Sequence, residues 1–401
     1  MRTPGRPRTT ALAAAALLLA GCAGGDPDED IGPPDPATAT VGATPDGGAG
    51  EGTPAAGGTP AATPAGTPAA APAPAAAPPA DAEVRVEAVV AEGLDAPWGL
   101  APLPGGDVLV SQRDEGDVVR VSPDGSVRAV GAVPGVEHGG EGGLLGIALS
   151  PGFARDRLLY AYHTAEDGNR VVRMTYDGRG LGEPEVVLDG IAAGSTHNGG
   201  RIVFAPDGTL LVGTGDAGDR SSSQDPSSLN GKVLRVTPDG APAPGNPDPS
   251  SPVLTSGHRN VQGIAVDGRG GLWAAEFGQD TWDELNRLRP GGDHGWPEVE
   301  GRAGEDGYVD PVVQWRPEDA SPSGIAVAGG AVYVAGLRGE RLWQVPLQGG
   351  EPRAWLEGEL GRLRTVEPTA DGRGLWLLTS DTDGRGDVDD GDDRLLRLSL
   401  V

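Results

Sequence analysis

"GIAVDGRGGLWAAEFGQDTWDELNRLRPGG" (Gly263–Gly292) and "GIAVAGGAVYVAGLRGERLWQVPLQGG" (Gly324–Gly350) start on the same four residues and keep the same order of parts. Each has an apolar strand, a glycine-rich turn, a second strand rich in Val, Leu, Trp or Tyr, a variable loop, and a third strand ending in another turn. The order recurs in "GLAPLPGGDVLVSQRDEGDVVRVSPDG" from Gly99 and "GIALSPGFARDRLLYAYHTAEDGNRVVRMTYDG" from Gly146. It recurs again in "RIVFAPDGTLLVGTGD" from Arg201, resumed by "GKVLRVTPDG", and in "TVEPTADGRGLWLLTSDTDG" from Thr365, which ends in "DRLLRLSLV". An all-β repeat of roughly 40 to 60 residues is the period of propeller blades, whereas a β-solenoid has a shorter period and more uniform loops. The expected fold is therefore all-β, a six-bladed β-propeller. Closure requires that the last blade be completed from the other end of the chain, and the alternating "EVRVEAVV" from Glu83 is placed to do so for the blade ending at Val401.

Outside the repeats the composition changes. The chain carries 68 Gly, 38 Pro and a net charge of -27 over 401 residues, and much of the excess lies between Ala23 and Ala82. That Ala/Pro/Gly/Thr-rich stretch has no apolar periodicity with which to build a core and reads as a disordered linker. Ahead of it, Arg2, Arg6 and Arg8 precede the apolar run "ALAAAALLLA", the layout of a secretory signal and too short to span a bilayer comfortably. Leu19-Ala20-Gly21-Cys22 resembles a bacterial lipobox, which implies cleavage before Cys22 and acylation of its sulfur, against the alternative of an ordinary signal with an incidental cysteine. The organisation expected is a lipoprotein signal peptide over 1–21, a lipid-anchored linker over 22–82, and a propeller domain over 83–401. The protein is then exported and held at the cell envelope through its lipid. Its acidity and lack of a basic stripe argue against a nucleic-acid partner.

Propeller loops gather at one face around a central channel, so chemistry is expected on the longest of them. Those loops carry "HNGGRIVFAPDGTLLVGTGD", "LNGKVLRV", "SGHRNVQGIAVD", "EFGQDTWDELN" and "GGDHGWP", in this order, after the upstream "APWGLAPLPGGDVLVSQRDEGDVVRV" and "GGEGGLLGIALSPGF". Together these segments resemble the soluble glucose/sorbosone dehydrogenase family, and the resemblance covers nearly all of the chain after the linker. It implies a propeller that binds pyrroloquinoline quinone and calcium at its mouth and oxidises aldose sugars at C1 to lactones.

The residues can be weighed against that chemistry. The quinone carries three carboxylates, so an acidic protein must gather guanidinium groups to hold it. The resemblance places Arg259, Arg338, Arg362 and Arg364 in that role, with Asn260 and Gln262 as neutral partners. Glu141 stands near the cofactor where the soluble glucose dehydrogenases have glutamine, a change expected to weaken binding unless the carboxylate is protonated or turned toward a cation. Thr196 precedes the key histidine where those enzymes have aspartate, and Arg338 replaces a lysine, which leaves the sugar preference open. Calcium takes oxygen ligands and polarises a quinone carbonyl. The resemblance assigns it backbone carbonyls at Gly278 and Gln279, with Asp283 and Glu284 as nearby acidic candidates against an ordinary solvated role.

His197 is the expected general base, because imidazole titrates near working pH and hydride departure from C1 requires loss of the hydroxyl proton. The glycines that follow it allow a tight turn beneath the cofactor, with Arg201 near it or just below. His258 is assigned a structural role beside Arg259, and His294 is placed at the mouth. In "SDTDGRGDVDDGDD" from Ser380, Asp381, Asp383 and Asp387 have the spacing of a calcium loop, yet a solvated acidic hairpin tip is the preferred reading. With no Cys-x-x-Cys-His haem motif, electrons must leave to a separate acceptor. Two other readings fit a tethered propeller, a cofactor-free binding scaffold and a calcium-dependent lactonase with its metal on the axis. The arginine set and His197 favour the dehydrogenase.

Overall fold

The repeated glycine that opens each "GIA" segment has a steric origin. At Gly263 a Cβ would come 2.3 Å from the carbonyl oxygen of Ser323, on the neighbouring blade, so two inner strands approach as backbone against backbone. Such close approach around an axis is what allows blades to converge on a narrow channel.

The computed structural model describes residues 78–401; the apolar run, Cys22 and the linker through residue 77 lie outside the described residues. Among the described residues the strands form six antiparallel sheets of four strands each, five of them in sequential order and the sixth completed by the first strand. The innermost strands are Pro97–Pro102, Leu144–Leu149, Ile202–Phe204, Val261–Val266, Pro322–Ala328 and Leu363–Pro368. The chain is a six-bladed β-propeller, as the repeats predicted, with one addition. A fourth, outermost strand completes each blade, for example Glu185–Ile191, Val253–Thr255 and Arg353–Trp355. These strands are short or half-exposed, which is why the three-strand repeat did not include them.

The last blade closes as expected. Val84–Ala91 pairs antiparallel with Leu395–Leu400, with Val84 opposite Leu400, and Glu83 and Val401 exchange backbone hydrogen bonds of 2.8 and 3.0 Å. Packing begins slightly upstream of Glu83, because the Gln344 side-chain amide donates to the carbonyls of Ala80 and Ala82.

The core lies between blades rather than within one layer. One cluster joins Tyr333 and Ala335 to Leu375 and Leu377, and another joins Leu100 and Val110 to Leu378 and Leu395 across the closure. Second strands are sandwiched on both faces, so Leu210–Gly213 and Gly374–Thr379 are buried throughout and show no polar alternation.

Candidate active site

Within an antiparallel blade, the start of the innermost strand and the turn joining the second strand to the third lie at the same end. Residues from these two places in different blades therefore meet at one mouth. They surround a cavity lined by Trp98, Arg113, Glu141, Gln262, Arg364 and Asp383, with Phe277, Leu337 and Arg385 completing the wall alongside Gly140.

His197 sits at this mouth in a constrained backbone. Its φ is 58°, in the left-handed region, and its N–H donates to Oε2 of Glu141 at 2.8 Å. Gly199 follows with φ 64°, and a Cβ there would fall 2.5 Å from Cα of Thr214. The imidazole Nδ1 lies 2.6 Å from Oδ1 of Asp216, a buried carboxylate that also accepts from Gly218 N–H and from Trp296 Nε1–H. Burial alone would raise the Asp216 carboxyl. The bond from His197, with the Gly218 and Trp296 bonds, outweighs burial and holds it below the usual carboxylate range. With Asp216 ionised, Nδ1 carries a proton and Nε2 is left as the proton acceptor.

On the neighbouring blade, Arg259 is anchored by its backbone N–H to Oε2 of Glu276 at 2.8 Å, and burial pulls its guanidinium below the usual value. Its Nη1 reaches the carbonyl of Phe277 at 3.3 Å, while the buried Nε has no hydrogen-bond partner among the described residues. Asn260 accepts from Gly199 N–H through Oδ1, but its buried Nδ2 is likewise without a partner. Gln262 links the two sides, receiving Nη1 of Arg364 at 3.3 Å.

Across the cavity, Arg362 and Arg364 both reach Oδ2 of Asp383, at 2.8 and 2.9 Å. Burial pulls Arg364 down to about 10, against the opposing charge of Asp383. Beneath the cavity Arg201 crosses the axis, bonded to the Gln262 carbonyl and to Thr365 Oγ1, with its guanidinium 4.2 Å from the Trp98 ring centroid.

The family model for Glucose / Sorbosone dehydrogenase matches residues 94–397, which include every wall of this cavity. The chain belongs to the glucose/sorbosone dehydrogenase family. It is 58% identical to the PQQ-bound aldose sugar dehydrogenase of Streptomyces coelicolor, over 81% of this chain and 100% of that one, with a TM-score of 0.79. It is 29% identical to quinoprotein glucose dehydrogenase B of Acinetobacter calcoaceticus over 60% of this chain and 59% of that protein. To aldose sugar dehydrogenase YliI of Escherichia coli it is 31% identical over 54% of this chain and 63% of that enzyme.

Within this member of the dehydrogenase family the expected residues fall into three groups. Glu141, Gln262 and Arg364 line the cavity; His197, Arg259 and Asn260 adjoin it through hydrogen bonds to Glu141, Phe277 and Gln262, and Arg362 backs it through Asp383. Glu141 is turned toward a cation, since its Oε1 lies 2.8 Å from Nη2 of Arg385. Arg338 is exposed and follows Leu337, which lines the wall; it makes no ion pair or hydrogen bond among the described residues.

Gly278 and Gln279 form a half-buried loop whose two carbonyls accept no hydrogen bond among the described residues. The N–H groups of Gln279, Asp280, Thr281 and Trp282 all converge on Oε1 of Glu300, at 2.7 to 3.1 Å. Asp283 is buried, and its two oxygens accept the N–H groups of Gly278 and Ser321, so it fastens this loop. His294 is displaced from its expected place at the mouth. It is buried and stacked on His258, with ring centroids 4.4 Å apart, and His258 acts through Glu276, which receives both its Nδ1 and the Arg259 N–H.

Several functional residues escaped the sequence reading. Asp216 ends "GTGD" and looks like a turn acid, and Glu300 lies about one blade-strand away from the loop it organises. Arg113 and Arg385, which line the cavity, come from second-to-third-strand turns. Arg113, inside the matched "SQRDEG", and Asp216, at the end of the matched "HNGGRIVFAPDGTLLVGTGD", carried a signal; Glu300 and Arg385 did not.

Proposed function

We propose that this protein oxidises the C1 hydroxyl of aldose sugars to the lactone, using pyrroloquinoline quinone with calcium, and passes the electrons to a separate acceptor. The observation that carries this reading is the His197–Asp216 pair at the rim of an arginine-lined cavity. The residues fit the cofactor on their own chemistry. Buried donors without partners at Arg259 Nε and Asn260 Nδ2 suit an anionic, carbonyl-bearing ligand, and Arg338, Arg362 and Arg364 supply further positive charge. The free carbonyls of Gly278 and Gln279 suit a hard cation.

When bound, the quinone supplies the hydride acceptor for C1. The protein does the rest: Asp216 orients His197 so that Nε2 faces outward as the base, and Nε2 removes the hydroxyl proton as C1 is oxidised. The Glu141 carboxylate, held by Arg385 and the His197 N–H, fixes the strained turn that presents the ring. An axial cation of the lactonase kind would have to displace Arg201 from the channel, which argues against that alternative.

The test is reduction of a dye by the purified protein, supplied with calcium and the quinone, across a panel of aldoses. Aldose-dependent reduction that requires the quinone supports the proposal, and hydrolysis of a sugar lactone without any dye reduction would replace it. We also propose that the domain works at the cell envelope on a lipid-modified Cys22. Cys22→Ser should then move the protein from the membrane fraction to the soluble one.

A further inference from the structure

The tip of the acidic segment after Ser380 is solvated, with Asp387, Asp389 and Asp390 exposed, but its two ends are not. Asp381 and Asp393 are buried, and the Asp392 side chain is 2% exposed. Asp383 leaves this group to pair with Arg362 and Arg364, and the other three carboxyls come together so that one oxygen from each lies within 4.8 Å of the other two.

Counting partners shows what this group lacks. Asp393 is fully met, since its Oδ1 accepts from Thr379 Oγ1 and the Asp381 N–H and its Oδ2 from the N–H and Oγ1 of Thr382, which fill the roughly four acceptor positions of a carboxylate; the shortage lies with the other two. Asp392 accepts the Asp389 N–H at 2.8 Å through Oδ2, while its Oδ1 has a single cation, Arg394 Nη2 at 2.8 Å, outside hydrogen-bonding alignment. Asp381 gives Oδ1 to the backbone N–H of Arg362, while its buried Oδ2 has no partner among the described residues. Three carboxylates thus share one guanidinium. Buried like charges at such spacing call for a cation or a proton.

We infer that Asp381 and Asp392, beside the charge of Asp393, bind a divalent cation, with calcium favoured by an all-oxygen set that water can complete. The site is separate from the calcium position proposed at Gly278 and Gln279, which belongs to the fourth blade. Its place in the fold gives it a role. Asp393 exchanges backbone hydrogen bonds with Leu94, at 2.9 and 3.0 Å, and Thr382 Oγ1 accepts from Ala96 N–H at 2.8 Å. These contacts join the last blade to the segment that leads into the first. The cation therefore clamps the ring closure, and through Arg362 it steadies one wall of the cavity.

The experiment uses metal-stripped full-length protein without quinone, titrated with calcium chloride by calorimetry and melted with calcium or with chelator. Asp381→Asn and Asp392→Asn are each expected to bind one calcium fewer per chain than wild type and to lose most of the calcium-dependent rise in Tm. In chelator, Asp381→Asn should melt at or above wild type, because one of three crowded charges has gone. That readout separates a lost ligand from a damaged fold. Equal calcium stoichiometry in all three proteins overturns the inference, as does a chelator-treated Asp381→Asn protein that melts well below wild type.

Discussion

The two sides of the mouth hold their arginines differently. On the last blade Arg362 and Arg364 are buried against Asp383, each within 2.9 Å of the same oxygen. On the fourth blade Arg259 has no carboxylate of its own for its guanidinium, and its Nε is unpaired. One side is assembled before any ligand arrives, whereas the other keeps donor capacity in reserve. The difference teaches where binding energy and folding energy are stored. A buried pair already formed contributes mainly to the fold, and an unmet buried donor contributes mainly when a ligand meets it.

The largest effect that would break this contrast concerns Asp383. Asp383→Ala strands two buried guanidinium groups, and the unfolding free energy should fall by about 3–5 kcal/mol, the range for breaking one side of a buried pair. Added quinone, as a replacement anion, should recover more stability in the variant than it gives wild type. Urea unfolding with and without quinone checks both statements. An Asp383→Ala protein as stable as wild type would remove the distinction.

Next in size, Arg259→Ala should weaken quinone binding by about 1.5–3 kcal/mol, as for loss of a charged hydrogen-bond partner. Because little is paired with its guanidinium beforehand, Tm should change far less than in Asp383→Ala. Calorimetry and melting on the same sample measure the two quantities. Lost stability with unchanged quinone affinity would reverse the assignment of the two sides.

The smallest effect sharpens the fourth-blade side. Glu284 lies beside Glu276, the residue that holds Arg259, and burial with that neighbouring charge pushes Glu284 up to about 8. The folded chain then keeps a proton that the unfolded chain releases from about pH 4.5 upward. More protons on the folded form mean that this group's contribution to stability falls as pH rises through that window. Glu284→Gln should flatten the decline, visible in urea unfolding from pH 5 to 8.5. An unaltered pH slope would show that the Glu276–Glu284 pair does not carry it.

The repeats made the architecture legible because blade strands must supply the same apolar faces and close-approach glycines at each turn, as at Gly263. Closure by Glu83–Val90 was legible from alternation alone. The outermost strands were not, since three or so residues such as Val313–Trp315 carry too little pattern to separate them from a loop. At the site, His197 and Arg259 stood out through the resemblance of their segments. Glu300, Asp383 and the pairing of Asp216 did not, because an acid in a Gly-rich turn has the same local sequence whether it is solvated or buried against a partner far along the chain. The loop-fastening role of Asp283 was hidden for the same reason: its partners are backbone N–H groups of Gly278 and Ser321, which no side-chain pattern records.

The central claim is that His197 takes the sugar proton while the rest of the mouth holds the cofactor. His197→Asn keeps the size and much of the hydrogen bonding of the ring but leaves no base at Nε2. Single-turnover and steady-state rates with a saturating aldose, measured alongside quinone and calcium binding, test it directly. Binding should survive while turnover falls by roughly two to four decades, the range for losing a general base. A His197→Asn protein that binds the quinone and oxidises aldoses at the wild-type rate would contradict the account and assign the proton to another group.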